Sequence, residues 1–290
     1  MPAAGSVATL AGIAALCGTG PLDILLTNDD GADAAGIRAL RTQLVAAGHR
    51  VTLAAPDRNA SGSALSFTWG DVRVTRDPHD PAIYAVGGSP ATAVVLAATA
   101  LYPPGQRPDL VISGINHGPN SGSLLLLSGT LGAALAGTLL LDPPVPGLAV
   151  SAERLQAAEP VDSPANRAQL DAVGAHVARL VASTRGWFCQ GGTVVRSRTV
   201  LNVNYPARPV AELLGTVVTP QGATSDLHMT FTATADGEYR SRAERSEVAD
   251  GRDTDNSWLD RGYVTVTPVS GAITNDAAPS ASLKRRLRRL

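Results

Sequence analysis

Cysteine is almost absent. Cys17 and Cys189 are the only two in 290 residues, too few for a disulfide framework or a thiolate-held metal. They could pair in an exported protein, but nothing around them requires it. Aromatic residues make up 4% of the chain and the formal net charge is −1. The sequence therefore offers neither the basic face nor the stacking platform of a nucleic-acid binder, and a small molecule is the expected partner. Lys284 is the sole lysine beside 23 arginines, which we read as coding bias. Long apolar runs are missing too. Ala8–Ala15 is apolar but too short to span a bilayer, and no Lys or Arg precedes it. Residues 1–21 are thus expected to be an extension or a degenerate export signal, with no membrane partner. The expected compartment is the cytoplasm, with export left open. No G-x-G-x-x-G follows the first apolar run, which argues against a dinucleotide oxidoreductase.

What is present alternates. From Asp23 onward, short apolar runs predicted as strands are followed by segments with helical spacing. Ile24–Leu26 reads as a strand buried on both faces of a parallel sheet. Gly36–Gly48 follows with Ile37, Leu40, Leu44 and Val45 on one helical face. Val51–Ala55, Leu110–Ile112, Gly147–Ser151 and Thr199–Val203 read as further strands, with Val72–Thr75 and Ile83–Val86 as a hairpin or sheet extension. Helices are expected from Pro90 to Leu101, from Ser128 to about Leu141, and over Arg167–Val181. Beyond Pro206 the pattern becomes one of short strands separated by a charged loop, Asp236–Asp255. The fold class is α/β, a mostly parallel three-layer sheet over residues 22–206, with a β-rich extension and basic tail over 207–290.

In such a sheet ligands bind outside the carboxyl ends of the strands. Three strand-terminal segments there are rich in oxygen: Asn28-Asp29-Asp30, Asn59–Ser63 and Ser113–Asn116. Adjacent carboxylates after a buried strand repel each other and resist desolvation, and a cation relieves both. Asp29, Asp30, a hydroxyl from Ser61 or Ser63, and the Asn116 amide form an all-oxygen set that suits Mg²⁺ or Mn²⁺, one per subunit. Ser128-Gly129-Thr130 opens a helix, where free N–H groups favour an anion. A plain N-cap is the simpler reading of Ser128 alone. Together, cation and anion cradle point to a phosphoryl group. His117 adjoins Asn116 and invites a general-acid role, although a lone loop histidine is more often a rim residue.

The residues then match a known pattern: L-L-T-N-D-D-G at 25–31, A-P-D-R-N-A-S-G at 55–62, G-S-P at 88–90, P-D-L-V-I-S-G-I-N-H-G-P-N at 108–120, S-G-T-L-G-A-A at 128–134, L-N-V-N-Y-P at 201–206 and T-D-N-S-W-L-D-R-G-Y-V-T-V-T-P at 254–268. In these the chain resembles the SurE family of metal-dependent nucleotidases. The resemblance implies a Rossmann-like core and hydrolysis of nucleoside 5′- or 3′-monophosphates, with some members accepting short polyphosphate. It also implies a C-terminal β extension exchanged between subunits of a homodimer or homotetramer. It places the metal on Asp29, Asp30, Ser61 and Asn116, deciding for Ser61 over Ser63. Phosphate contacts are expected at Gly62, Ser63, Gly114, Ser128, Gly129 and Thr130. Asp29 or Asp30 would act as base or as nucleophile, with Asn28 shaping the turn.

The match has gaps. Gly122-Ser123-Leu124 and Leu127 stand where the family has acids and an aromatic, Thr92 replaces an aspartate, and Ala136 a glutamate. Lost polar neighbours of this kind cost ~10–100-fold in metal affinity or activity. They keep two alternatives open: a phosphatase specialised for one biosynthetic intermediate, and a non-catalytic phosphate-ligand binder.

Overall fold

The computed structural model describes residues 15–224, 227–245 and 251–271. The apolar segment 8–14 and the basic tail 284–290 lie outside them. In chain order the core runs β1 (Asp23–Thr27), α1 (Ala35–Ala46), β2 (Arg50–Pro56), β3 (Val74–Arg76), β4 (Ile83–Val86), α2 (Pro90–Leu96), β5 (Leu110–His117), α3 (Gly129–Leu139), β6 (Gly147–Ala152) and α4 (Pro164–Thr184). It continues through β7 (Cys189–Gln190), β8 (Thr193–Val194), β9 (Thr199–Tyr205), β10 (Thr216–Val218), β11 (Leu227–Ala235), β12 (Glu238–Arg245), α5 (Asp255–Asp260) and β13 (Val264–Ser270).

Nine strands form one sheet in the order β10-β13-β9-β6-β5-β1-β2-β4-β3. The six from β9 to β4 are mutually parallel, and β3 closes one edge as the antiparallel arm of a hairpin with β4. The chain winds outward from β1 to one side and then to the other, which is the Rossmann-like arrangement expected. Alternate residues of β1 serve opposite faces. Ile24 and Leu26 pack with Ile37, Leu40, Leu44, Val173 and Val177 of α1 and α4. Leu25 packs with Val94, Ala133 and Ala136 of α2 and α3. The sheet is thus the middle of three layers.

Two elements differ from expectation. The segment read as a charged loop contains β12, whose one partner among the described residues is β11. Glu-Tyr-Arg-Ser-Arg-Ala-Glu-Arg has no apolar face to bury, so alternation could not announce a strand. The third oxygen-rich segment is not a loop: β5 continues to His117, with a break in register between Ser113 and Asn116. A Cβ on Gly114 would lie 2.3 Å from the Val150 carbonyl oxygen, and one on Gly36 would lie 2.0 Å from that of Ile115. The bend is therefore clamped by bare backbone on both sides.

The amino-terminal rim of the sheet is tied down separately. Cys17 and Cys189 form a disulfide, Leu16 is buried, and the Arg185 guanidinium donates to the carbonyls of Ala15, Leu16 and Gly20.

Candidate active site

The winding reverses at β1, between β2 and β5, and the oxygen-rich segments meet at its carboxyl end. Asn28 is fully buried. Its side chain donates to the Gly31 carbonyl at 2.9 Å and accepts the Gly31 N–H at 3.2 Å. This closes the turn, with Gly31 at a φ of 112° that favours glycine. The turn aims Asp29 at the N-terminus of α3 and Asp30 toward His117 and Asn59.

Asp29 is buried, and desolvation is the main reason its pKa rises to about 6. The charge of Asp30 adds to the rise, while the Thr130 hydroxyl, donating at 2.6 Å, and the Thr130 backbone amide oppose it. The Thr130 hydroxyl thus holds Asp29 in place. Asp30 is held more loosely. Its Oδ1 stands 3.4 Å from His117 Nδ1 and 3.5 Å from Asn59 Nδ2, and its Oδ2 is buried with no hydrogen-bond partner.

The loop after β2 comes in from the side. The Ala60 amide donates to the Asp29 carbonyl at 2.7 Å. Ser63 Oγ is likewise buried without a partner. A Cβ on Gly129 would fall 2.5 Å from that oxygen and 2.8 Å from Asp29 Oδ2, so hydroxyl and carboxylate meet over the bare Cα of Gly129. Ser61 and Gly62 are exposed on the same loop, the Ser61 amide donating to Asn59 Oδ1 at 3.0 Å. Asn116, at the end of β5, spends its amide nitrogen on the Gly118 carbonyl at 2.8 Å. Ser128 caps α3, accepting the Leu131 N–H at 3.0 Å. Gly114 shapes the β5 bend described above. Thr92, standing in place of an acid, accepts the Thr68 N–H at 2.8 Å and so fixes a neighbouring loop.

Among the described residues no group of three or more His, Cys, Asp or Glu side chains is placed to hold a metal. Any ion here would rest on two carboxylates and neutral oxygens.

Sequence reasoning missed the support behind these groups. Asn120 Nδ2 donates to Ser151 Oγ at 2.9 Å and lies 3.5 Å from Thr130 Oγ1. The Asn120 backbone is gripped by Asn202 and Asn204, through bonds of 2.7 to 3.1 Å. The signal was available: asparagines two apart in the otherwise apolar β9 must share a face. Asp255 is a second miss. Fully buried, it accepts the N–H groups of Gly122 and Gly222 at 3.1 and 2.7 Å, joining α5 to the segment that leads into α3.

A family model described as survival protein SurE matches residues 24–227. The chain belongs to the SurE family. It is 38% identical over 270 residues to the 5′-nucleotidase SurE of Solidesulfovibrio magneticus, covering 91% of this chain and 97% of that one. Against the 5′-nucleotidase SurE of Synechococcus elongatus the identity is 33% over 267 residues, covering 87% and 95%. The crystal structure of the SurE protein from Aquifex aeolicus superposes with a TM-score of 0.70 at 31% identity, covering 87% of this chain and 95% of that one. These likenesses span the extension as well as the core of this SurE-family chain.

Proposed function

We propose that this chain is a divalent-cation-dependent phosphomonoesterase acting on nucleoside monophosphates, as the names of its relatives suggest. The observation that carries the reading is the pair of orphaned oxygens, Asp30 Oδ2 and Ser63 Oγ, beside a carboxylate whose pKa burial raises. Buried polar atoms are normally satisfied, and a hard cation flanked by oxygen donors is the partner these atoms fit. Asp29, Asp30, Asn116 and a hydroxyl of the Ser61–Ser63 loop would hold it. When bound, Mg²⁺ or Mn²⁺ supplies Lewis-acid neutralisation of the phosphate ester.

The chain's own residues do the rest. Thr130 and the start of α3 fix Asp29 against its neighbour's repulsion. Asp29 or Asp30 would take a proton from an attacking water, while Gly129, with Ser128 as cap, presents the helix N-terminus to the phosphate. Asp30→Asn should abolish phosphate release from nucleoside monophosphates supplied with Mg²⁺ or Mn²⁺, with an unchanged circular dichroism spectrum. A chelator should do the same to the natural protein. Full turnover in either case would refute the reading.

We also infer a homodimer or homotetramer built through residues 207–290. A two-stranded ribbon is marginal alone in water, yet among the described residues β11 and β12 pair only with each other and expose Phe231 and Tyr239, 69% and 67% accessible. An apolar groove of about 640 Å³ between α3 and β13, lined by Leu126, Leu131, Leu139 and Val269, adds a second uncovered face. A single-subunit mass in light scattering would contradict this.

No helix among the described residues is long and apolar enough to cross a membrane. The Cys17–Cys189 bond favours an oxidising compartment over the cytoplasm expected from composition.

A further inference from the structure

The second half of β9 carries polar side chains where its first half is apolar. Val200 packs with Leu131 and Ala134 on the α3 side of the sheet, whereas Leu201 and Val203 pack on the other side. Alternation therefore puts Asn202 and Asn204 on the α3 side, and both are fully buried there. Two buried amides are costly unless they are bonded.

What they hold is a single residue. Asn204 Oδ1 accepts the Asn120 N–H at 2.7 Å, and Asn204 Nδ2 donates to the Asn120 carbonyl at 3.1 Å. Asn202 Nδ2 donates to the same carbonyl at 2.8 Å. Its Oδ1 has no partner, which leaves the nitrogen as the atom in use. A carboxamide offers donor and acceptor side by side, as this grip on one residue's N–H and C=O requires. The arc is fixed at its other end as well, the Gly118 N–H donating to the Ala152 carbonyl at 2.9 Å.

Held in this way, Asn120 turns its side chain back toward the site. Its Nδ2 donates to Ser151 Oγ at 2.9 Å and stands 3.5 Å from Thr130 Oγ1. The Thr130 hydroxyl has one proton and donates it to Asp29 Oδ1 at 2.6 Å. An N–H facing that oxygen meets its lone pairs and keeps its proton aimed at the carboxylate.

Resting on the phosphomonoesterase reading, we propose that Asn204, with Asn202 beside it, is a positioning residue. By gripping the Asn120 main chain it sets the Asn120 amide against Thr130, and Thr130 in turn holds Asp29. Both asparagines of β9 act on the site through Asn120.

Asn204→Asp keeps the shape and the acceptor but sets an oxygen against the Asn120 carbonyl in place of the donor. Asn120→Ala removes the side chain that faces Thr130 and leaves the main chain in its grip. Calorimetry with Mn²⁺ and turnover of AMP at saturating Mn²⁺, both on the full chain, read each variant. Expected for either is a loss of about 10-fold or more in Mn²⁺ affinity, in kcat or in both, the range for groups that support metal-holding residues. The decisive comparison is the double variant. Once Asn120 is alanine, Asn204→Asp should cost less than about twofold more, because members of one network do not add. A merely structural asparagine would instead multiply its loss onto that of Asn120→Ala. Multiplicative losses, or single variants with natural Mn²⁺ affinity and kcat, overturn the assignment. If Asn204→Asp does not fold, Asn202→Ala takes its place in the same cycle and is judged by the same two outcomes. A natural protein that binds Mn²⁺ but releases no phosphate from AMP overturns the phosphatase reading alone, and the Mn²⁺ affinities then decide the positioning role. A natural protein that binds no Mn²⁺ overturns both.

Discussion

At the scale of single residues, the site is governed by which polar atoms are paired and which are not. Thr130 donates its hydroxyl to Asp29. Thr130→Val should therefore lower kcat about 10-fold or more, within the range for lost groups that orient a ligand, and Thr130→Ser should restore it. Steady-state kinetics on the two variants, with metal titrated, checks this. A different carboxylate tests burial without touching the chemistry. Asp109, at the opposite rim, accepts the Asp23 N–H at 2.8 Å, and desolvation raises its pKa from 3.8 to about 6. A raised carboxylate pKa favours the fold while the group is uncharged. Its contribution is full below 3.8 and is lost as pH climbs through about 6. Asp109→Asn should remove that dependence, so the Tm difference between variant and natural protein should grow in the variant's favour over this interval.

At the scale of elements, the site depends on how closely α3 meets the loop after β2. A Cβ on Gly132 would lie 1.9 Å from the Ala64 carbonyl oxygen. Gly132→Ala must push loop and helix apart, separating Ser63 from Asp29. Overpacking of this kind costs about 1–3 kcal/mol, so Tm should fall and phosphatase activity should fall with it. An unchanged Tm would contradict the contact. This is also the scale at which the sequence was most and least informative. The approach of the loop after β2 and of the end of β5 to Asp29 and Asp30 was legible because a parallel sheet must bring strand ends together. Asn120, Asn202 and Asn204 were not singled out, because their partners lie across a gap of more than eighty residues and no local period encodes that. Nor was β12, whose own residues carry no apolar alternation to read.

At the scale of the whole molecule, the disulfide closes a separation of 172 residues between Cys17 and Cys189. In chain-entropy terms a loop of that size is worth about 5 kcal/mol to the folded state. Cys17→Ser, or treatment with reductant, should lower Tm by several degrees while leaving turnover at permissive temperature intact; calorimetry beside an activity assay would register both. The bond sits with Arg185 and Asp109 at the amino ends of the strands, whereas Asp29, Asp30, Asn116 and Thr130 gather at the carboxyl ends. Endurance and reactivity thus occupy opposite poles of one β-layer. Selection could harden this enzyme against heat or proteolysis at one pole without perturbing a single atom that meets its substrate.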